Sequence, residues 1–132
     1  MSRVKTRDTA PELALRRALW ADGVRGWRLY PRGIPGRPDL VWLGRKLAVF
    51  VDGAFWHGHP GYYWGQSGEF WDKKIERNRQ RDVQVTKDLI NEGWIVLRLW
   101  DFEVERRVSG CVAVVRHALE SADGRDSKGA GK

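Results

Sequence analysis

Cysteine is nearly absent: the chain of 132 residues holds one, Cys111. An internal disulfide is therefore excluded, and with no Cys-x-x-Cys pair there is no thiolate zinc cluster to expect. Within Gly110-Cys111-Val112-Ala113-Val114 this thiol reads as a small buried hydrophobe. Long apolar runs are missing too. None approaches the ~20 residues that span a bilayer, and the first residues lack the apolar segment of a secretory signal. A cytoplasmic protein with no membrane partner is the expectation. Acidic side chains are in deficit, 17 Asp and Glu against 24 Lys and Arg, so the formal charge is +7 and the isoelectric point near 10.0. Such a surface attracts polyanions. Against these scarcities stand eight tryptophans, more than a small core requires, and exposed indoles stack on bases.

The length suits one domain with one core. A polar, basic arm covers residues 1–10. Thr9-Ala10-Pro11-Glu12 starts a helix that runs to about Asp22, with Leu13, Leu15, Leu19 and Trp20 turned inward and Gly23 as its stop. Residues 27–30 form a short strand. Strands at 40–43 and 47–51 are joined by a turn at Gly44-Arg45-Lys46. The second is almost wholly apolar, as a central strand covered on both faces should be. Residues 55–68, rich in Gly and aromatics, read as a functional loop. A long helix follows at 69–91, using Phe70, Ile75, Val83, Leu89 and Ile90 as apolar contacts, then a strand at 94–100 and a helix at 109–121. Residues 122–132 are read as a disordered tail, leaving one domain over 1–121. The order predicts an α/β three-layer fold, a small central mixed β-sheet flanked by helices.

Two carboxylates end short apolar runs: Asp39 in Gly36-Arg37-Pro38-Asp39-Leu40-Val41, and Asp52 in Val49-Phe50-Val51-Asp52-Gly53. Neighbouring antiparallel strands bring such ends together, and paired carboxylates hold a hard cation such as Mg²⁺. Asp is also common in turns and caps; it is the pair beside a histidine that favours a metal site. His57 is the candidate general base, with His59 as the alternative. Glu12, in the first helical turn, is a candidate to hold metal-bound water. Phe55-Trp56, flanked by Gly53 and Gly58, can wedge between bases. Trp71, Lys74 and Asn78 lie three and four apart on one helical face, a combination suited to stacking and base-edge contacts.

Five blocks, in order, carry a resemblance. They are Thr6-Arg7-Asp8-Thr9-Ala10-Pro11-Glu12, Ile34-Pro35-Gly36-Arg37-Pro38-Asp39, Phe50-Val51-Asp52-Gly53-Ala54-Phe55-Trp56-His57, Glu69-Phe70-Trp71 through Asn78 and Arg81-Asp82, and Gly93-Trp94-Ile95-Val96-Leu97 through Trp100. Over residues 1–103 the chain resembles the very-short-patch-repair (Vsr) DNA mismatch endonucleases, a branch of the restriction-endonuclease-like PD-(D/E)xK fold. The resemblance implies a Mg²⁺-dependent nick 5′ to the thymine of a T:G mismatch. It implies a monomer on double-stranded DNA at the bacterial nucleoid, with mismatch-repair proteins as partners. Asp39 would bind the metal together with the backbone carbonyl of Val51, with Asp52 beside them. His57 would activate water, and Glu12 would support the hydrated metal. Phe55, Trp56 and Trp71 would form the wedge, Lys74 and Asn78 would read the mispair, and Met1 would belong to an arm in the opposite groove.

Two departures stand out. Better-known members hold a structural zinc with three cysteines and a histidine; the matching positions here are Ala54, about Gly61 and Phe102, with His59 kept. No structural zinc is expected, and packing by Tyr62, Tyr63, Trp64 and Phe102 would replace it. The usual PD-(D/E)xK lysine is also missing, since Asp52-Gly53-Ala54 ends in alanine, which fits the family's use of histidine. Rival readings are a related nuclease with another DNA trigger, in restriction or defence, and a DNA-binding module without catalysis.

Overall fold

The computed structural model describes the backbone of residues 7–130 and the side chains of residues 7–123. Helix α1, Ala10–Ala21, starts at Thr9 as its N-cap. The Thr9 hydroxyl accepts from the Glu12 amide at 3.5 Å and donates to Glu12 Oε2 at 2.6 Å. Pro11 sits in the first turn, where no amide partner is needed. Leu15 and Leu19 are fully buried. Trp20, expected to face inward, is instead 58% exposed. One step beyond Leu19 rotates a side chain by about 100°, off the buried face, and there the Arg25 guanidinium lies 3.3 Å over the indole.

Four strands form one sheet in the order β1 (Arg28–Leu29), β2 (Leu40–Trp42), β3 (Leu47–Asp52), β4 (Ile95–Trp100). β1–β2 and β2–β3 are antiparallel, and β3–β4 is parallel. The β2–β3 hairpin closes at Trp42 opposite Leu47. Its loop therefore takes four residues rather than three, with Lys46 in the left-handed region at φ 52°. A parallel neighbour requires a crossover, and helix α2, Glu69–Asn91, supplies it between β3 and β4. Helix α3, Asp101–Arg106, follows β4 directly, where the sequence suggested no element. Helix α4, Val108–Ala130, passes the boundary expected at residue 121. Ala122 is fully buried and Asp123 accepts from Arg45 Nε at 2.8 Å, so the chain stays packed through these two positions, where a disordered tail was expected to start.

The sheet is covered on both faces. Alternation in β3 sends Leu47 and Val49 into a core with Leu15 and Leu19 of α1 and Val115 and Leu119 of α4, while Ala48 and Phe50 meet Leu89 of α2. Cys111 is buried in the first cluster, as expected. On α2, Ile75 and Leu89 are buried, but Phe70, Val83 and Ile90 are exposed, contrary to their assignment as packing residues. One turn needs its glycine. Gly36 has φ 76°, and a Cβ there would lie 2.6 Å from Val85 Cγ1. Glycine lets the 36–39 loop lie against α2 and deliver Asp39 to the edge of β2. Among the described residues, no helix is long and apolar enough to cross a membrane.

Candidate active site

Asp39 precedes β2, and its Oδ2 accepts the Val51 amide at 2.6 Å. This bond extends the β2–β3 ladder by a side chain. In an extended strand a residue's N–H and C=O leave from the same side, so the Val51 carbonyl departs β3 from the edge that Asp39 occupies. Phe50 and Asp52 share the sheet face toward α2, and Arg98, opposite Phe50 in the β3–β4 register, shares it too. Asp52 is 6% exposed and accepts from Arg98 Nη1 at 3.2 and 3.1 Å. Glu12 is buried; besides Thr9 it accepts the Tyr30 hydroxyl.

His57 stands in the loop after β3, and its amide is tied back to the Gly53 carbonyl at 3.0 Å. Its Nδ1 hydrogen-bonds Asp82 on α2. Its Nε2 lies 3.8 Å from Asp52 Oδ1. Burial draws the imidazole toward its neutral form, but the Asp82 hydrogen bond and the charges of Asp52 and Asp82 outweigh it and raise the pKa above the usual value. Asp39 is pushed up to about 7, first by burial and then by the charges of Glu12 and Asp52, against the opposing Val51 amide. Burial raises Asp52 as well, with His57 and Arg98 working against it.

These groups line one cleft of about 800 Å³, shared with Trp56, Lys74 and Asn78. Lys74, Asn78 and Asp82 repeat at intervals of four on α2, which places them along one helical face. The Lys74 ammonium lies 5.8 Å from the Trp56 ring and 5.2 Å from Trp71, within cation–π range. Phe55 packs edge-on against Trp56 at 5.1 Å, and Trp71 tilts against it at 5.3 Å. Asn78 is engaged at both ends: its Nδ2 donates to the Trp56 carbonyl at 3.1 Å and its Oδ1 accepts from Arg81 at 2.8 Å. It thereby ties the aromatic loop to α2. Met1 lies outside the described residues.

A family model of the DNA mismatch endonuclease Vsr matches residues 1–63. The Type II nicking enzyme V.NmeDIP of Neisseria meningitidis serogroup C is 44% identical, over 91% of this chain and 83% of its own length. The Type II nicking enzyme V.HpaIIP of Haemophilus parainfluenzae is 42% identical, over 76% of this chain and 73% of its own. DNA mismatch endonuclease Vsr of Escherichia coli strain K12 is 36% identical, over 81% and 70%. The chain belongs to the Vsr family. It is a DNA endonuclease, and its mixed four-stranded sheet flanked by helices is consistent with the restriction-endonuclease-like fold.

In this Vsr-family chain two of the positions matched to zinc ligands, His59 and Phe102, meet in an aromatic cluster with Trp100 and Tyr62. The His59 ring packs edge-on against Trp100 at 4.8 Å and Phe102 at 5.1 Å, and Tyr62 stacks on Phe102 at 5.0 Å. The His59 Nδ1 accepts from the Gly61 amide at 3.0 Å, and His59 does not line the cleft that holds His57. Of the four side chains expected to pack here, Tyr62 and Phe102 do. Tyr63 turns to Phe55 and Asp72, and Trp64 is 71% exposed.

Three site residues escaped sequence reasoning. Asp82 lies eight residues after Lys74, on the helical face already singled out. Arg98 is a lone charge inside the apolar strand Ile95–Trp100, an oddity that signals a buried partner. Tyr30 carries no such signal. Its hydroxyl reaches Glu12, and it also accepts from the Asp8 amide at 2.8 Å, which fastens the segment before α1 to the site.

Proposed function

We propose that this endonuclease nicks duplex DNA at T:G mismatches, 5′ to the thymine, with Mg²⁺ as its cofactor, acting as a monomer. The observation that carries the reading is the convergence of Glu12, Asp39, Val51 and His57 in one cleft that Trp56 also lines, with Lys74 over its ring. Asp39 fits a cation. Among the described residues the only donor to its carboxylate is the Val51 amide, and burial beside Glu12 and Asp52 disfavours its charge. Its carboxylate and the Val51 carbonyl would hold the ion, with Asp52 next to them and committed to Arg98. Bound there, Mg²⁺ supplies charge stabilisation to the phosphate and to the leaving oxygen.

The chain's own groups do the rest. Asp82 orients His57 through Nδ1, leaving Nε2 to accept the proton of an attacking water. Glu12, held by Thr9 and Tyr30, orients water on the metal side. Phe55, Trp56 and Trp71 present a braced aromatic edge to an unstacked step, where a mispair costs least to open. Lys74 adds charge for the phosphates. Asn78 reads a base edge by exchanging its present bonds.

The decisive experiment is a nicking assay on duplexes carrying T:G, other mismatches or matched pairs, with Mg²⁺ or EDTA. A nick on the thymine strand of T:G alone, lost in EDTA, is expected. Equal cutting of matched DNA would remove mismatch specificity. A second reading, nicking under a different DNA trigger, draws support from the relatives named as Type II nicking enzymes, which match at 44% and 42% against 36% for Vsr itself. Cleavage that follows flanking sequence without a mismatch would favour it. Binding with no cut on any duplex would leave a DNA-binding module.

A further inference from the structure

Around His57 stands a cation with no role so far. Arg98 is the one charged residue of β4, and its side chain is 22% exposed. Nη1 reaches both oxygens of Asp52 and lies 3.7 Å from Asp82 Oδ1. Nη2 donates to the Asp82 carbonyl at 3.3 Å, Nε donates to Thr86 Oγ1 at 2.9 Å, and the guanidinium lies 4.1 Å from the Phe50 ring centre. Groups on β3 and α2 thus fix it from several sides. Both carboxylates it touches also face the imidazole, but unequally. Asp82 hydrogen-bonds Nδ1, whereas Asp52 Oδ1 stops 3.8 Å short of Nε2, beyond hydrogen-bond range.

We propose that Arg98 is a positioning residue for hydrolysis: by binding Asp52 it holds that carboxylate off His57 Nε2 and leaves the nitrogen's lone pair to the attacking water. An imidazole hydrogen-bonded by a carboxylate at each nitrogen is held as the imidazolium, and an imidazolium accepts no proton. The Arg98 fork offsets the Asp52 charge and occupies its oxygens. In the step this protects, the water oxygen bonds to phosphorus and its proton passes to Nε2. The bond from phosphorus to the leaving sugar oxygen breaks, and that oxygen takes a proton from solvent.

The inference rests on reading His57 as the base, and it is tested by single-turnover nicking of a T:G duplex alongside duplex binding and circular dichroism. Arg98→Met is expected to slow the nick by about 10–100-fold, part of the ~10²–10⁴ that a general base contributes, with duplex affinity unchanged. In an Asp52→Asn background, where the competing carboxylate is gone, Arg98→Met is expected to slow the nick little further. An arginine needed for any other reason slows the nick there as much as in the native chain, so an undiminished loss in that background overturns the inference. Should Arg98→Met fail to fold, Arg98→Lys keeps the charge and loses the fork. Its His57 Nε2 ¹⁵N signal should move toward the protonated form relative to the native protein, and an unmoved signal with a native nicking rate also overturns it. His57→Ala that still nicks would instead defeat the reading of His57 itself.

Discussion

Asp39→Asn should make the protein more stable and inactive at once. In the fold Asp39 titrates at about 7, against 3.8 as its ordinary value, with burial the leading cause. A carboxyl whose folded pKa is raised contributes stability that is fully present below pH ~4 and is lost as pH rises through ~7. The difference corresponds to ~4 kcal/mol of penalty at pH 8, at 1.36 kcal/mol per pH unit. Asparagine keeps a carbonyl oxygen for the Val51 amide and carries no charge. Its added NH₂ group costs about 1–2 kcal/mol to bury, which leaves a net gain of ~2–3 kcal/mol, or a Tm higher by roughly 6–15 °C for a chain of this size. The assay is thermal unfolding at pH 4.5 and pH 8, with and without Mg²⁺, beside a nicking assay. The gain should be small at pH 4.5 and large at pH 8, and Mg²⁺ should raise the native Tm by mass action while leaving the variant unmoved. A variant no more stable at pH 8 than at pH 4.5 would refute the buried-charge argument. An equal Mg²⁺ response in both proteins would refute Asp39 as the ligand.

Three further outcomes are expected. Trp56→Ala should weaken discrimination between T:G and matched duplex by about 1–3 kcal/mol in relative kcat/KM; unchanged discrimination would return Trp56 to a packing role. Tyr30→Phe removes the hydroxyl that joins Glu12 to the Asp8 amide, so urea denaturation should show a loss of ~1–2 kcal/mol and nicking should slow. A variant as stable and as fast as the native chain would dismiss that bridge. Phe102→Ala strips one ring partner from both His59 and Tyr62 and should cost about 2–3 kcal/mol, with Tm insensitive to zinc chelators in both proteins; a Tm that falls on chelation would show that a metal holds this corner.

What was legible in the chain follows from how local each cause is. Thr9, Pro11 and Glu12 make a helix start from their own chemistry, and the apolar run 47–51 needs no partner to declare itself a central strand. Asp39 and Asp52 could be paired because a hairpin of known reach joins their strands. The misreadings are of another kind. Trp20, Phe70, Val83 and Ile90 are apolar and sit within helices, yet whether each faces the core depends on where neighbouring helices cross, which no local rule contains. Helix α3 escaped because six residues carry less than two turns of periodicity. The site divides in the same way. Asp39, His57 and Glu12 announce themselves beside glycine or proline, or at a helix start. Asp82 meets His57, Tyr30 meets Glu12 and Arg98 meets Asp52 across 18 to 46 residues of chain, through side-chain contacts alone. Arg98 marks the boundary: its charge inside Ile95–Trp100 says that some carboxylate lies nearby, and only the parallel register of β3 with β4, which sets Arg98 opposite Phe50 and one residue short of alignment with Val51, identifies that carboxylate as Asp52. In this fold the groups that would meet the phosphate can be read from local sequence, whereas Asp82 and Arg98, which hold them ready, are set by the crossover through α2.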